Sequence, residues 1–203
     1  METAFTGKFA VLSMPDRASF SDTEGRWSEM YIESLALAGL ASGYSEGVKT
    51  LFKPANEITR GEFIKLLVSA KGVELSASDV SMFADADSIA QWQRPYAAAA
   101  VQHGWLKGVV TEDGRTVANL DERITRQDAM TLICRAFFEG KTSEKIMSFR
   151  DIGDIAPYAR DAVRYLTEQN VISGFEDNTF RPLESLTREQ VAKVLWYCIL
   201  IAD

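Results

Sequence analysis

Thr59-Arg60-Gly61-Glu62, Thr125-Arg126-Gln127-Asp128 and Thr187-Arg188-Glu189-Gln190 are three versions of one tetrad, each preceded by a branched apolar residue, Ile58, Ile124 or Leu186. The first and fourth positions have a local reason. A Thr at a helix N-cap accepts a hydrogen bond from an orphan backbone N–H, and an acid or amide three residues on reaches back to the cap. Each tetrad therefore predicts a helix start, with Asp128 the shortest and weakest return arm. The arginine between them has no such local reason. It falls in the first helical turn, where the macrodipole disfavours a cation by roughly 0.3–1 kcal/mol. A cost repeated three times points to a task for the guanidinium. Two tasks fit: a receptor for a carboxylate or phosphate beside free helix N–H groups, or an ion pair with one of the 29 acids of the chain. The dipole argument also implies that removing these arginines leaves the melting temperature nearly unchanged.

Working outward, the helix behind each tetrad repeats its apolar face. Phe63, Leu66, Leu67 and Ala70 correspond to Ala129, Leu132, Ile133 and Ala136, and to Val191, Val194, Leu195 and Cys198. These offsets form one helical stripe. Three equivalent stripes in one chain are best buried against each other, which predicts a central three-helix bundle with pseudo-threefold symmetry and a second helix per repeat outside it. Leu66, Leu132 and Val194 should then be buried. Upstream, each repeat opens with an aromatic and an aspartate, Phe20-Ser21-Asp22, Phe83-Ala84-Asp85 and Phe149-Arg150-Asp151. A second ring follows, Trp27, Trp92 or Tyr158, and at a constant offset beyond it a glycine, Gly43, Gly108 or Gly174. Between ring and glycine the apolar spacing is helical, as in Trp27, Tyr31, Leu35 and Leu37. The glycine fits a helix C-terminal turn or a close backbone approach. A polar, turn-rich link leads to the tetrad.

The order Phe-x-Asp, aromatic, helix, Ser42-Gly43-Tyr44, Phe52-Lys53-Pro54 and Ile58 to Glu62 resembles the S-layer homology domain. The third repeat carries it as Phe149-Arg150-Asp151, Tyr158, Ser173-Gly174-Phe175, Phe180-Arg181-Pro182 and Leu186 to Gln190. The resemblance covers about residues 20–200 and occurs in threefold order. It implies a mostly α fold in which three helical repeats make a pseudo-threefold spindle around a central three-helix bundle. It implies a residue 1–19 leader packing on the repeats, and repeats at 20–72, 83–140 and 149–203. It further implies non-covalent anchoring to a bacterial cell wall through a secondary cell-wall polysaccharide, often one bearing pyruvate ketals on N-acetylmannosamine. The middle repeat departs from the pattern: Lys107-Gly108-Val109 replaces Ser-Gly-Tyr, and its link has no Phe-Lys-Pro. Lys107 adds a flexible cation and Val109 removes a ring, so the three grooves are expected to be unequal.

Composition narrows the function. With 203 residues and 46% hydrophobic content there is ample core material. No run approaches the ~20 apolar residues of a membrane span. The apolar run Phe9 to Leu12 lacks a basic n-region, so no signal peptide is legible, and an exported form is expected to have lost one. A net charge of −7 argues against nucleic acid. It also rules out long-range attraction to an anionic glycan, leaving local cation pockets and ring stacking to supply affinity. His103 stands near a helix end without a nucleophile motif, and Asp85-Ala86-Asp87 lacks EF-hand spacing, so neither catalysis, metal nor cofactor is expected. Cys134 and Cys198 are the only cysteines; a buried thiol is the default, with a disulfide open.

The expected ligand-binding residues follow from these readings together with the resemblance. Arg60, Arg126 and Arg188 would hold the acidic group. Asp22, Asp85 and Asp151 would accept sugar hydroxyls or cap the following helix. Trp27, Trp92 and Tyr158 would stack on sugar, although a ring opening an amphipathic helix points to the core. Gly43, Gly108 and Gly174 would admit the glycan to the backbone or end the helix, and Lys107 would pair with an acid as a point charge. The isolated module is expected to be a monomer, extracellular, with a wall polysaccharide as partner. The alternative is a packing module that assembles a surface layer without binding glycan.

Overall fold

The computed structural model describes residues 20–75 and 79–201, so the leader assigned to residues 1–19 lies outside the described residues. The described chain is mostly α-helical. Its α-helices are α1 (Glu29–Leu37), α2 (Arg60–Lys71), α3 (Arg94–Gln102), α4 (Arg126–Phe138), α5 (Pro157–Glu168) and α6 (Arg188–Ile201). Two antiparallel hairpins join them, β1 (Tyr44–Glu46) with β2 (Lys49–Leu51), and β3 (Val109–Val110) with β4 (Thr116–Val117). The described residues divide into two compact units, those within Met1–Asn56 and Thr187–Asp203, and those within Glu57–Leu186.

The tetrads start helices as expected. Thr59 and Glu62 form a complete capping box, with Glu62 N–H on Thr59 Oγ1 at 3.2 Å and Thr59 N–H on the Glu62 carboxylate at 2.9 Å. Thr187 and Gln190 do the same, at 3.4 and 3.0 Å. Thr125 caps Asp128 N–H at 3.3 Å, but the short Asp128 makes no return bond. The two N–H groups ahead of the capped one are not free, which corrects their expected role as an anion receptor. Arg60 and Gly61 N–H donate to the Glu122 and Leu120 carbonyls, both at 2.8 Å. Arg126 and Gln127 N–H donate to Glu184 (2.8 Å) and Pro182 (3.0 Å), and Arg188 and Glu189 N–H to Asn56 (2.9 Å) and Pro54 (3.0 Å). Each helix start is therefore capped by the link of a different repeat, which satisfies donors that an isolated helix leaves open.

This interlock explains why packing is offset from the sequence repeat. In the first unit α1 packs on α6; in the second α3 packs on α2 and α5 on α4, while α2 and α4 also touch. An opening helix thus lies on the closing helix of another repeat. Within Glu57–Leu186 the buried residues before the tetrads form a closed ring of backbone bonds: Ile58 N–H to Leu186 O (3.0 Å), Leu186 N–H to Ile124 O (3.2 Å) and Ile124 N–H to Ile58 O (3.2 Å).

The closing stripes are largely buried. Leu132 and Val194 are core residues, as are Phe63, Leu67, Ile133, Val191 and Leu195. Leu66 is half-buried rather than buried, because α2 turns Ile64 and Val68 inward beside Phe63 and Leu67. The stripe read from Trp27 is also displaced: Ile32 and Leu35 face the core, while Trp27 and Leu37 are exposed. Cys134 and Cys198 are buried and not joined in a disulfide, and burial raises the Cys134 thiol to about 11. Among the described residues no helix is long and apolar enough to cross a membrane.

Candidate functional site

The three aspartates of the Phe-x-Asp motif share one geometry. Asp22 accepts from Phe52 N–H and Lys53 N–H, both at 2.8 Å. Asp85 accepts from Ala118 (2.8 Å) and Asn119 (2.9 Å), and Asp151 from Phe180 (2.8 Å) and Arg181 (2.6 Å). Lys53, Asn119 and Arg181 all have positive φ, near +57°, which turns two successive N–H groups toward the carboxylate. These side chains thus clamp the link. Asp85 and Asp151 make no side-chain cap to the short helices that follow them.

The glycines serve the same clamp and lie beyond the helix ends. A Cβ on Gly43 would meet Leu51 O and the Phe20 ring at 2.6 Å. One on Gly108 would meet Thr116 at 2.5 Å and Phe83 at 2.8 Å, and one on Gly174 would meet Phe149 at 2.7 Å. The motif phenylalanine and the returning link occupy that space, so the close approach comes from the protein itself.

Two of the arginine side chains, Arg188 and Arg126, then run under another repeat's link. Arg188 donates Nε to Phe52 O (2.8 Å), Nη2 to Ser42 O (3.1 Å) and Nη1 to Tyr44 Oη (3.3 Å), with its guanidinium over the Phe52 ring at 4.4 Å and the Tyr44 ring at 5.0 Å. Arg126 donates Nη2 to Ser173 O (3.0 Å) and lies 5.0 Å from the Phe180 ring and 5.2 Å from the Phe175 ring. Its Nε is buried without a partner, and burial lowers the guanidinium to about 10, with Glu184 only partly offsetting this and the neighbouring Arg181 cation lowering it further. Among the described residues neither Arg126 nor Arg188 forms an ion pair with a carboxylate. Arg60 differs. Its Nη1 lies 3.6 Å from Asp128 Oδ2, its Nε is buried without a partner, and burial lowers the guanidinium against the pull of Asp128. Ala118 stands where the other links have Phe52 and Phe180.

The second ring of each repeat is not core, contrary to expectation. Trp27 and Tyr158 are 54% exposed and Trp92 46%. The ring sits on the closing helix it packs against: Trp27 is 5.8 Å from Lys193 Nζ, Trp92 is 5.8 Å from Lys65 Nζ, and Tyr158 Oη donates to Asp128 Oδ1 at 2.7 Å. Burial first, and Asp128 second, push the Tyr158 phenol upward. The inward positions belong instead to the next residue. Ser28 and Gln93 are buried, bonded to Glu189 (2.7 Å) and Asp121 (2.8 Å). Lys107 is exposed at the mouth of the β3–β4 hairpin, and Val109 is exposed on it. His103 stacks on Trp105 at 4.9 Å. Among the described residues no cluster of His, Cys, Asp and Glu could hold a metal ion.

This arrangement of clamp, glycine and arginine coincides with a known family. Residues 19–64 and 148–192 match the family model of the S-layer homology domain. By this match, those two segments are S-layer homology domains. It is similar to an endoglucanase of Bacillus sp. (strain KSM-635), 31% identical over 87% of this chain and 18% of that protein. It is similar to the exoglucanase XynX of Acetivibrio thermocellus, 26% identical over 88% of this chain and 16% of that protein. The surface-layer 125 kDa protein of Lysinibacillus sphaericus is 32% identical over 71% of this chain and 12% of its own length. The chain spans less than a fifth of each of these relatives, and what they share with it is the S-layer homology region, which is non-catalytic. Cell-surface anchoring is the function these matches support.

The walls of the arginine pockets are not legible in the sequence. Phe52, Tyr44, Phe175 and Phe180 were visible as motif residues, but only the fold brings a link from one repeat onto the arginine of another.

Proposed function

We propose that this chain holds its parent protein on a bacterial cell wall by binding an anionic secondary cell-wall polysaccharide, with the arginine pockets as receptors for its acidic substituents. A pyruvate ketal on N-acetylmannosamine is the substituent in mind, and the wall is the working location. The reading includes a third S-layer homology repeat over 83–140 and a pseudo-threefold arrangement of the closing helices. Support for that arrangement comes from the repeated aspartate clamp and the ring of bonds joining Ile58, Ile124 and Leu186.

The observation that carries the proposal is Arg126. A cation buried to 8% exposure, stacked on two rings and lacking a carboxylate partner is costly unless something anionic completes it. Of five guanidinium N–H groups, Arg126 commits one to Ser173 O and Arg188 commits three, so donors remain for a bidentate acid. The exposed Trp27, Trp92 and Tyr158 supply the apolar ring faces that sugars stack on. Asp22, Asp85, Asp151 and the three glycines contribute by holding the links that wall the pockets, and Lys107 contributes as an exposed point charge. Pull-down with purified sacculi tests this: the protein should sediment with intact walls and stay in solution once the secondary polymer is extracted. Equal sedimentation with extracted walls, or full binding by Arg126→Ala, would sink it.

A further inference from the structure

The tetrad's fourth residue separates one groove from the others. Glu62 and Gln190 turn back on their own helices and accept the N–H of Thr59 and Thr187. Asp128 is one methylene shorter and makes no such bond. Its carboxylate instead meets two side chains from outside α4, Tyr158 and Arg60. Oδ1 takes the Tyr158 hydroxyl at 2.7 Å, and this orients Oδ2 toward Arg60 Nη1 at 3.6 Å. At the positions corresponding to the ring walls of Arg126 and Arg188 this link has Ala118 and Val109, and among the described residues no aromatic ring lies over the Arg60 guanidinium. The other cation nearby, Arg135, donates to Trp105 O at 3.0 Å and lies in the field of Asp128 and Tyr158.

We infer that Asp128 is a built-in counter-ion that occupies Arg60 in place of an acidic ligand, making it the specificity-determining residue that closes this groove to anions. The inference takes from the proposed function the idea that these arginines receive acids, and adds that one of them is already served. A carboxylate ligand must displace Asp128 against its bond to Tyr158, and must do so without ring walls to stack on. Moving the carboxylate away exposes Arg60 and Arg135 together. Two substitutions do this by different routes. Asp128→Asn removes the charge. Asp128→Glu keeps the charge but restores the length that lets Glu62 reach its own cap, which draws the carboxylate out of the groove.

The test is a titration of the whole chain with sodium pyruvate, following the 15N side-chain resonances of Arg60 and Arg126. In the wild type Arg60 should stay silent at pyruvate concentrations that shift Arg126. In both Asp128→Asn and Asp128→Glu, Arg60 should respond with an apparent affinity at least tenfold tighter than in the wild type. A wild-type Arg60 that responds as well as the variants overturns the inference, and so does an Asp128→Glu Arg60 as silent as the wild type. A silent Arg126 counts instead against the proposed function, because the Arg60 comparison between wild type and variants reads Asp128 alone.

Discussion

The pockets of Arg188 and Arg60 share a backbone and differ in nearly everything that fills it. In both, an aspartate grips two successive link N–H groups, a glycine admits a phenylalanine, and the arginine's own N–H is capped by a foreign link. Around Arg188 two rings and three neutral acceptors enclose the guanidinium. Around Arg60 the rings are gone and an aspartate has moved in. The clamp is a backbone device, so it tolerates change in the side chains it positions. Side-chain chemistry in the pocket is therefore free to diverge from repeat to repeat while the interlock persists.

The sharpest way to break this comparison is to delete a ring wall. Phe180 is fully buried, packs against Phe149 and faces Arg126, and Phe180→Ala should cost about 3–5 kcal/mol in urea unfolding. A cost below about 1 kcal/mol would mean that the Ala118-type link is equally stable and that the rings serve ligand alone. Next in size is the clamp itself. Asp151→Ala and Asp85→Ala should each cost about 2–3 kcal/mol, since each loses two charge-assisted bonds and leaves two turned N–H groups unserved. The two values should agree; a clearly smaller loss for Asp85 would show that the middle repeat's backbone has diverged too.

Smaller again is the contrast between arginines. Arg188→Ala should cost about 1–3 kcal/mol, because Phe52 and Ser42 carbonyls lose their donor. Arg60→Ala should cost less than Arg188→Ala, since Arg60 Nε has no partner to lose and Asp128 keeps its bond from Tyr158. This revises the expectation, drawn from the helix dipole, that all three arginines are dispensable for folding. Melting temperatures of both variants equal to that of the wild type would restore it. The smallest effect belongs to Lys107→Ser, which should stay within about 0.5 kcal/mol of the wild type by the same unfolding assay, as an exposed side chain does.

The sequence by itself determined the helix starts, the near-complete apolar stripes of the closing helices and the weak return arm of Asp128. All three are local: capping and helical periodicity act within one or two turns. It also located the motif residues that matter, because an aspartate, a glycine and an arginine recur in step. Their jobs were decided by the tertiary structure. That Asp22 and Gly43 hold the link is visible only once the link is seen folding back onto them, and Trp27 looks like core until Ile32 and Leu35 are seen taking the inward face. The arginine's partners lie in another repeat, more than forty residues away for Arg126 and more than a hundred for Arg188. No periodicity in one segment encodes which segment will lie beside it; only the closure of one repeat's helix start on another's link decides that.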